Sequence, residues 1–394
     1  MSAETRAAKL KEDLIAYFLQ PPDPQQSALF RPYNAAGKPY QGKNVLRLLM
    51  ARPKDVAPVR WVDNPSTGKM AEMPCPNIWG TFKGWQAATG CSIRKGEKSP
   101  ASVVFQGPQA IKDEEGKPVL DVWGEPLNPK WRTQTYSVFH CSQVDGFDLP
   151  GWCERHEAAQ RYAAEMYEKK LKDARATYKG PSYTDFRNFI LTQVVEDQEK
   201  DAALLERIIL AYLEGEGVGL EVGTFASRLF FEENRLNWGA YCHPPYDAIV
   251  MRDPEAYERD WHPLFRLEVL VHEAIHSTQF SNRTGRRITE EELGNDSYEE
   301  CVAYFGTLLM FTLFSLESHG LASVIWTDVA EEHADHLRDW SDAAVSSLLE
   351  DAERAVNYIF SVAMEDESLL PSHIRAVSRP TYGTEVRVMQ PALD

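Results

Sequence analysis

Residues 262–280 read HPLFRLEVLVHEAIHSTQF, with His272, Glu273 and His276 in the order H-E-x-x-H. Leu264, Leu267, Val271 and Ile275 recur at helical spacing beside the histidines, which predicts a buried helix presenting polar groups to a cleft. Residues four apart share one face of a helix, so both imidazoles can reach one ion while the carboxylate between them holds a water. The stretch therefore places a helix at the heart of the C-terminal half and gives it a chemistry, metal-assisted hydrolysis. In that chemistry the ion acidifies a water, Glu273 accepts its proton, and the hydroxide attacks a polarised carbonyl.

Downstream, DSYEECVAYFGTLLMFTLF at 296–314 reads as a second apolar helix that can bring a carboxylate to the same ion. Glu300 is favoured as third ligand because Ala303 and Gly306, three and six residues on, leave room for close approach of the histidine helix; the spacing also permits Glu299. Two histidines and one glutamate leave the fourth tetrahedral position of zinc open for water. His319, His333 and His336 compete as ligands, although HADH at 333–336 reads more simply as part of a solvated helix. Extension to a third histidine of the metzincin kind fails, since Gln279 and Asn282 stand where glycine and histidine are required. Tyr241, Tyr246 and Tyr304 have the chemistry of an oxyanion donor, but aromatic packing accounts for each as well.

Charge divides the chain of 394 residues. The overall −17 resolves into +4 over residues 1–150 and −21 over the rest, with +8 concentrated in 29–105. Such asymmetry points to a polyanion on one side only. RPYNAAGKPYQGKNVLRLLMARPKDVAPVRW at 31–61 interleaves cations with Tyr33, Tyr40 and Trp61, and a turn further on carries Arg94, Lys95 and Lys98. Single-stranded nucleic acid calls for this combination, cations for phosphates and rings for unstacked bases. The surface candidates are Lys38, Tyr40, Lys43, Arg47, Arg94, Lys95 and Lys98, whereas Trp79, Phe82 and Trp85 at i, i+3, i+6 read as core.

The expected architecture is α+β in two domains joined by an arm. Residues 1–150 form a basic α+β domain, with helices at 1–20, 41–52 and 77–90, the last ended by Gly90, and strands at 101–107 and 135–144 flanking a long hairpin excursion. Residues 151–205 form a charged helical connector. Residues 206–394 are mainly helical, with a strand pair in 238–254 ahead of the histidine helix and helices at 297–317 and 329–362. The six cysteines include no C-x-x-C pair and read as reduced thiols. No apolar run reaches eighteen residues, and the polar N-terminal helix stops at Pro21 and Pro22, so a cytoplasmic protein is expected.

GKPYQGKNVLRLL (37–49), WGTFKGWQAATGCSIRKGEKSPASVVF (79–105) and YSVFHCSQVDGF (136–147) resemble the N-terminal domain of ArdC-type antirestriction proteins. YDAIVMRDPEAY, VHEAIHST, YEECVAYFG and HLRDWSDAAVSSLLEDAERAVNYI resemble that family's zincin-like metallopeptidase domain, in the same order. The resemblance implies a single-stranded DNA-binding domain joined to a zinc metallopeptidase-like domain, encoded by a mobile element or phage and protecting incoming DNA from host restriction. It makes His272, His276 and Glu300 the metal ligands and Glu273 the catalytic glutamate. Two departures bear on peptidase strength. Tyr304 stands where the family commonly has an acidic residue supporting a ligand histidine, and HEAIHST replaces HELVHWT. The alternative reading is an active zinc endopeptidase recruited to DNA to cleave host DNA-bound proteins. A detached primase fragment ranks below both, because no acidic cluster suited to two-metal nucleotidyl transfer is evident.

Overall fold

The computed structural model describes residues 3–19, 31–53, 59–64, 69–73, 76–109, 130–149, 151–152, 198–224, 240–243, 247–253, 264–280, 282–286, 296–314, 316, 334–363 and 365. The excursion at 110–129, most of the connector, His319, His333 and Tyr246 lie outside them.

The fold is α+β, as expected. Its N-terminal half comprises α1 (Ala3–Leu19), β1 (Tyr33–Asn34), α2 (Lys43–Met50), β2 (Val59–Asn64), β3 (Lys69–Met73), β4 (Ile78–Gly80), α3 (Phe82–Thr89), β5 (Ser92–Ile93), β6 (Ala101–Gln109), β7 (Lys130–His140) and β8 (Val144–Asp145). A four-stranded sheet has the order β1-β4-β7-β6, with β1 parallel to β4 and the other pairs antiparallel. The helix expected over 77–90 begins only at Phe82: Ile78 and Trp79 are wholly buried as a strand beside β7, and Thr81 then caps α3 by accepting from the Gly84 amide. Gly90 ends that helix at φ 72°, the left-handed cap its position implied. Edge strand β6 is closed by a side chain that mimics a peptide. The Asn44 amide donates to the Val104 carbonyl at 2.7 Å and accepts from the Val104 N–H at 2.8 Å.

The C-terminal half comprises α4 (Gln198–Glu216), β9 (Gly219–Val222), β10 (Ala240–His243), β11 (Ala248–Met251), α5 (Phe265–Ser277), α6 (Asp296–Leu313) and α7 (Asp342–Ala363). The expected strand pair is β10 and β11, and β9 joins β11 in parallel to complete a three-stranded sheet. The helix expected over 329–362 is interrupted at Trp340 and Ser341; residues 334–339 form a separate helical segment.

Every residue of α5 except Arg266 is buried. Its apolar residues meet neighbours on all sides, so the one-sided stripe seen in the sequence understates its central position. The same core takes in α4, α6 and α7 together with Leu10 and Leu14 of α1 and Val45, Leu46 and Met50 of α2. Helices α1 and α2 thus lie on the N-terminal side of the division expected near residue 150, yet pack their apolar faces into the C-terminal core. Polar contacts bind the same junction: Lys43 pairs with Glu350 on α7, and Lys11 donates to the Trp340 carbonyl at 2.7 Å.

A candidate metal centre

The α5 helix presents His272 and His276 on one face, and α6 crosses it where its side chains are smallest. A Cβ on Gly306 would lie 2.9 Å from Ile275 Cδ1, so only glycine permits this approach without displacement. Three and six residues before Ala303 and Gly306 the same helix carries Glu300, as the spacing suggested.

The three side chains converge. His272 Nε2 and His276 Nε2 are 3.0 Å apart, His272 Nε2 is 3.2 Å from Glu300 Oε2, and His276 Nε2 is 3.3 Å from Glu300 Oε1. Bonds of about 2.0–2.2 Å to a tetrahedral ion put neighbouring donor atoms roughly 3.3 Å apart. The triangle therefore has the edges of a metal site, and it is the one such cluster among the described residues. Burial pushes the His276 imidazole toward its neutral form, but the Glu300 carboxylate beside it, the neighbouring Glu299 carboxylate and the Glu273 charge outweigh it and hold the pKa well above the usual value. Glu300 shifts the opposite way: burial raises it, and the two histidines more than reverse that, keeping it well below the usual carboxylate range. Its side chain is still 44% exposed, which opens the centre to solvent along one edge.

Glu273 is buried on the same helix. Glu299 is not a member of the triangle; its carboxylate lies on the other side of His276, 3.7 Å from Nδ1, and is paired with Arg286. A carboxylate behind His276 is thus present, at 299 rather than at 304. Tyr304 is buried with its ring edge-on to Phe305 at 5.3 Å. Arg286 escaped sequence reasoning altogether, since nothing in TGRR distinguishes a buried guanidinium from a solvated one. His336 is half-buried on the 334–339 segment and outside the triangle.

The basic candidates divide by exposure. Lys38, Arg94, Lys95 and Lys98 are exposed, Arg94 paired with Glu97 at 2.8 Å. Lys43 is engaged by Glu350, and Arg47 is half-buried on α2. Tyr40, read as a surface ring, is packed between the C-terminal core and the β6–β7 core, and burial pushes its phenol up to about 12. Trp79 and Trp85 are core as expected, but Phe82 is 54% exposed at the start of α3. Phe105 and Tyr136, which carry no distinguishing pattern in the sequence, are also exposed, and the β6–β7 register (Val103 opposite Tyr136, Phe105 opposite Gln134) makes them diagonal neighbours.

Fold and centre together define a class: an α+β chain whose helical half holds a two-histidine, one-glutamate cluster. Residues 4–139 match the family described as the N-terminal domain of anti-restriction factor ArdC. Residues 4–139 thus form an ArdC-type N-terminal domain. The crystal structure of metal-free antirestriction ArdC from the R388 plasmid covers 90% of this chain and 97% of its own, with a TM-score of 0.50 at 17% identity, a likeness of fold. Its Mn(II)-bound form aligns with a TM-score of 0.49 at 16% identity, over 91% of this chain and 98% of its own. Among curated sequences, the uncharacterised protein y4eC of Sinorhizobium fredii is 30% identical over 36% of this chain and 41% of its own length. DNA primase TraC of Escherichia coli is 31% identical over 44% of this chain and 11% of its own. The chain thus spans less than half the length of either relative. None of the helices among the described residues is long and apolar enough to cross a membrane.

Proposed function

We propose that the protein is an antirestriction factor of a mobile element or phage that binds single-stranded DNA through its basic N-terminal half and carries a zinc-dependent hydrolytic centre in its C-terminal half. The observation that carries the second part is the triangle of His272, His276 and Glu300, whose edges of 3.0, 3.2 and 3.3 Å fit one small divalent ion. Two imidazoles and one carboxylate favour zinc over harder ions that prefer all-oxygen shells. Bound there, the ion supplies Lewis acidity. Glu273 takes the proton of an attacking water, its buried position keeping it beside the ligands, and the exposed edge at Glu300 admits substrate.

The first part is supported by the ArdC N-terminal domain match and by the +8 charge of residues 29–105. Lys38, Arg94, Lys95 and Lys98 supply cations for phosphates, and Phe82, Phe105 and Tyr136 supply rings for bases. If the centre acts on protein, the −21 charge outside residues 1–150 favours a basic substrate, as in cleavage of host DNA-bound proteins.

Glu273→Gln tests the reading in cells receiving restrictable DNA. The variant should keep zinc and DNA binding and lose protection; full protection by it would show that hydrolysis plays no part.

A further inference from the structure

Glu299 is 5% exposed and faces the nitrogen of His276 that the ligand triangle leaves over: its Oε1 lies 3.7 Å from Nδ1, while Nε2 points to His272 and Glu300. An imidazole offers its Nε2 lone pair to a cation only when its proton is on Nδ1, and an acceptor at Nδ1 selects that tautomer and fixes the ring plane. Glu299 is itself held. Arg286 Nη2 donates to its Oε1 and Arg286 Nε to its Oε2 at 3.3 Å. The same guanidinium donates to Thr278 Oγ1 at 2.5 Å and to the Ile275 carbonyl at 3.2 Å, tying the end of α5 to the start of α6. The short segment bearing Arg286 is anchored in turn. Arg283, its side chain wholly buried, grips Asp247 through both terminal nitrogens and reaches Glu216 and the Ser277 carbonyl. With both oxygens on Arg286, Glu299 is occupied as a brace and Glu300 alone supplies the carboxylate of the triangle. His272 differs: its Nδ1 is buried and has no hydrogen-bond partner among the described residues.

We propose that Arg286 and Glu299 form a positioning pair that fixes the tautomer and ring plane of His276 toward a divalent cation, so that among the described residues one ligand histidine is braced and the other is not. The proposal rests on the metal-centre reading.

The test uses the full chain, with zinc affinity measured by competition against a chromophoric chelator. Cobalt(II)-loaded protein is examined in parallel for the paramagnetically shifted N–H protons of its two ligand imidazoles. Glu299→Gln is expected to weaken zinc binding about 10- to 100-fold and to move the His276 N–H signal while leaving that of His272 in place. Arg286→Lys should fall between it and wild type. Should Glu299→Gln fail to fold, the nitrogen-15 shifts of His276 in zinc-loaded wild type decide the matter. A proton on Nδ1, shifted far downfield by the carboxylate, supports the proposal, and a Nδ1–H with the shift of a solvent-bonded imidazole overturns it. Zinc affinity within twofold of wild type, or weakened affinity with both signals unmoved, also overturns it. Absence of zinc binding by wild type instead removes the metal-centre reading, before Glu299 is in question.

Discussion

Gly306 on α6 stands so close to Ile275 on α5 that a Cβ there would meet three atoms of the isoleucine side chain, at 2.9, 3.0 and 3.1 Å. The contact sets the distance between the helix that carries His272 and His276 and the helix that carries Glu300. Replacement by alanine gains about 1 kcal/mol of helix propensity and costs roughly 1–3 kcal/mol in overpacking, so overall stability should change little. Ligand geometry has no such compensation. Gly306→Ala is expected to lower zinc affinity by about tenfold, comparable to other changes that misplace a ligand, with a melting temperature near that of wild type; Gly306→Val should lower both. Parallel calorimetric and chelator-competition measurements would decide it, and unchanged affinity in the valine variant would separate the helix spacing from the metal.

The N-terminal cations should not contribute equally to DNA binding. Lys43 is held by Glu350 and Tyr40 is packed between two cores, whereas Lys95 and Lys98 are free to meet a phosphate chain. Removing Lys95 and Lys98 together should weaken binding to an oligothymidylate and reduce the slope of log affinity against log salt by about 0.7 for each phosphate no longer neutralised. Lys43→Ala should leave that slope unchanged. A larger slope change from Lys43 than from the Lys95, Lys98 pair would reverse the assignment.

Aromatic stacking is a separate matter from charge. Tyr136→Ala and Phe105→Ala should each cost about 1–3 kcal/mol of single-strand affinity if bases stack there, with no change in salt slope, and Tyr40→Phe should cost nothing. Fluorescence anisotropy on all three variants gives the answer; equal affinities throughout would remove the exposed pair from the interface.

Acid should destabilise the N-terminal half through His140. Burial above all, with the nearby charge of Arg52, lowers its pKa to about 3 despite a backbone hydrogen bond at Pro76. The unfolded value is about 6.5, so the unfolded chain binds the proton first. The contribution to stability is complete above pH 6.5 and is lost as pH falls from there toward 3, by up to about 1.4 kcal/mol per pH unit. His140→Asn keeps a side chain able to cap Ser142 and removes the titration. Urea denaturation at several pH values between 7.5 and 4 should show a flatter profile for the variant than for wild type; parallel profiles would mean that His140 is not buried neutral.

The histidine helix, the carboxylate on the next helix and the Gly90 cap were legible in the sequence because each depends on local spacing. What escaped it depends on distant partners. Ile78 and Trp79 join a sheet because β7, some sixty residues later, lies beside them, and helical spacing through Trp79, Phe82 and Trp85 gave no sign of this. Tyr40 is covered by residues from both halves of the chain. The two glutamates at 299 and 300 were visible as alternatives for a single role. Only packing shows that they lie at opposite nitrogens of one imidazole, because the group that holds Glu299, Arg286, belongs to a segment whose sequence carries no periodic signal.

Anomalous diffraction from zinc-soaked crystals, collected on both sides of the zinc absorption edge, would show directly whether His272, His276 and Glu300 hold a metal ion. The expected result is a single strong peak within about 2.0–2.2 Å of His272 Nε2, His276 Nε2 and a Glu300 oxygen. A crystal with full zinc occupancy elsewhere and none at these three atoms would contradict it.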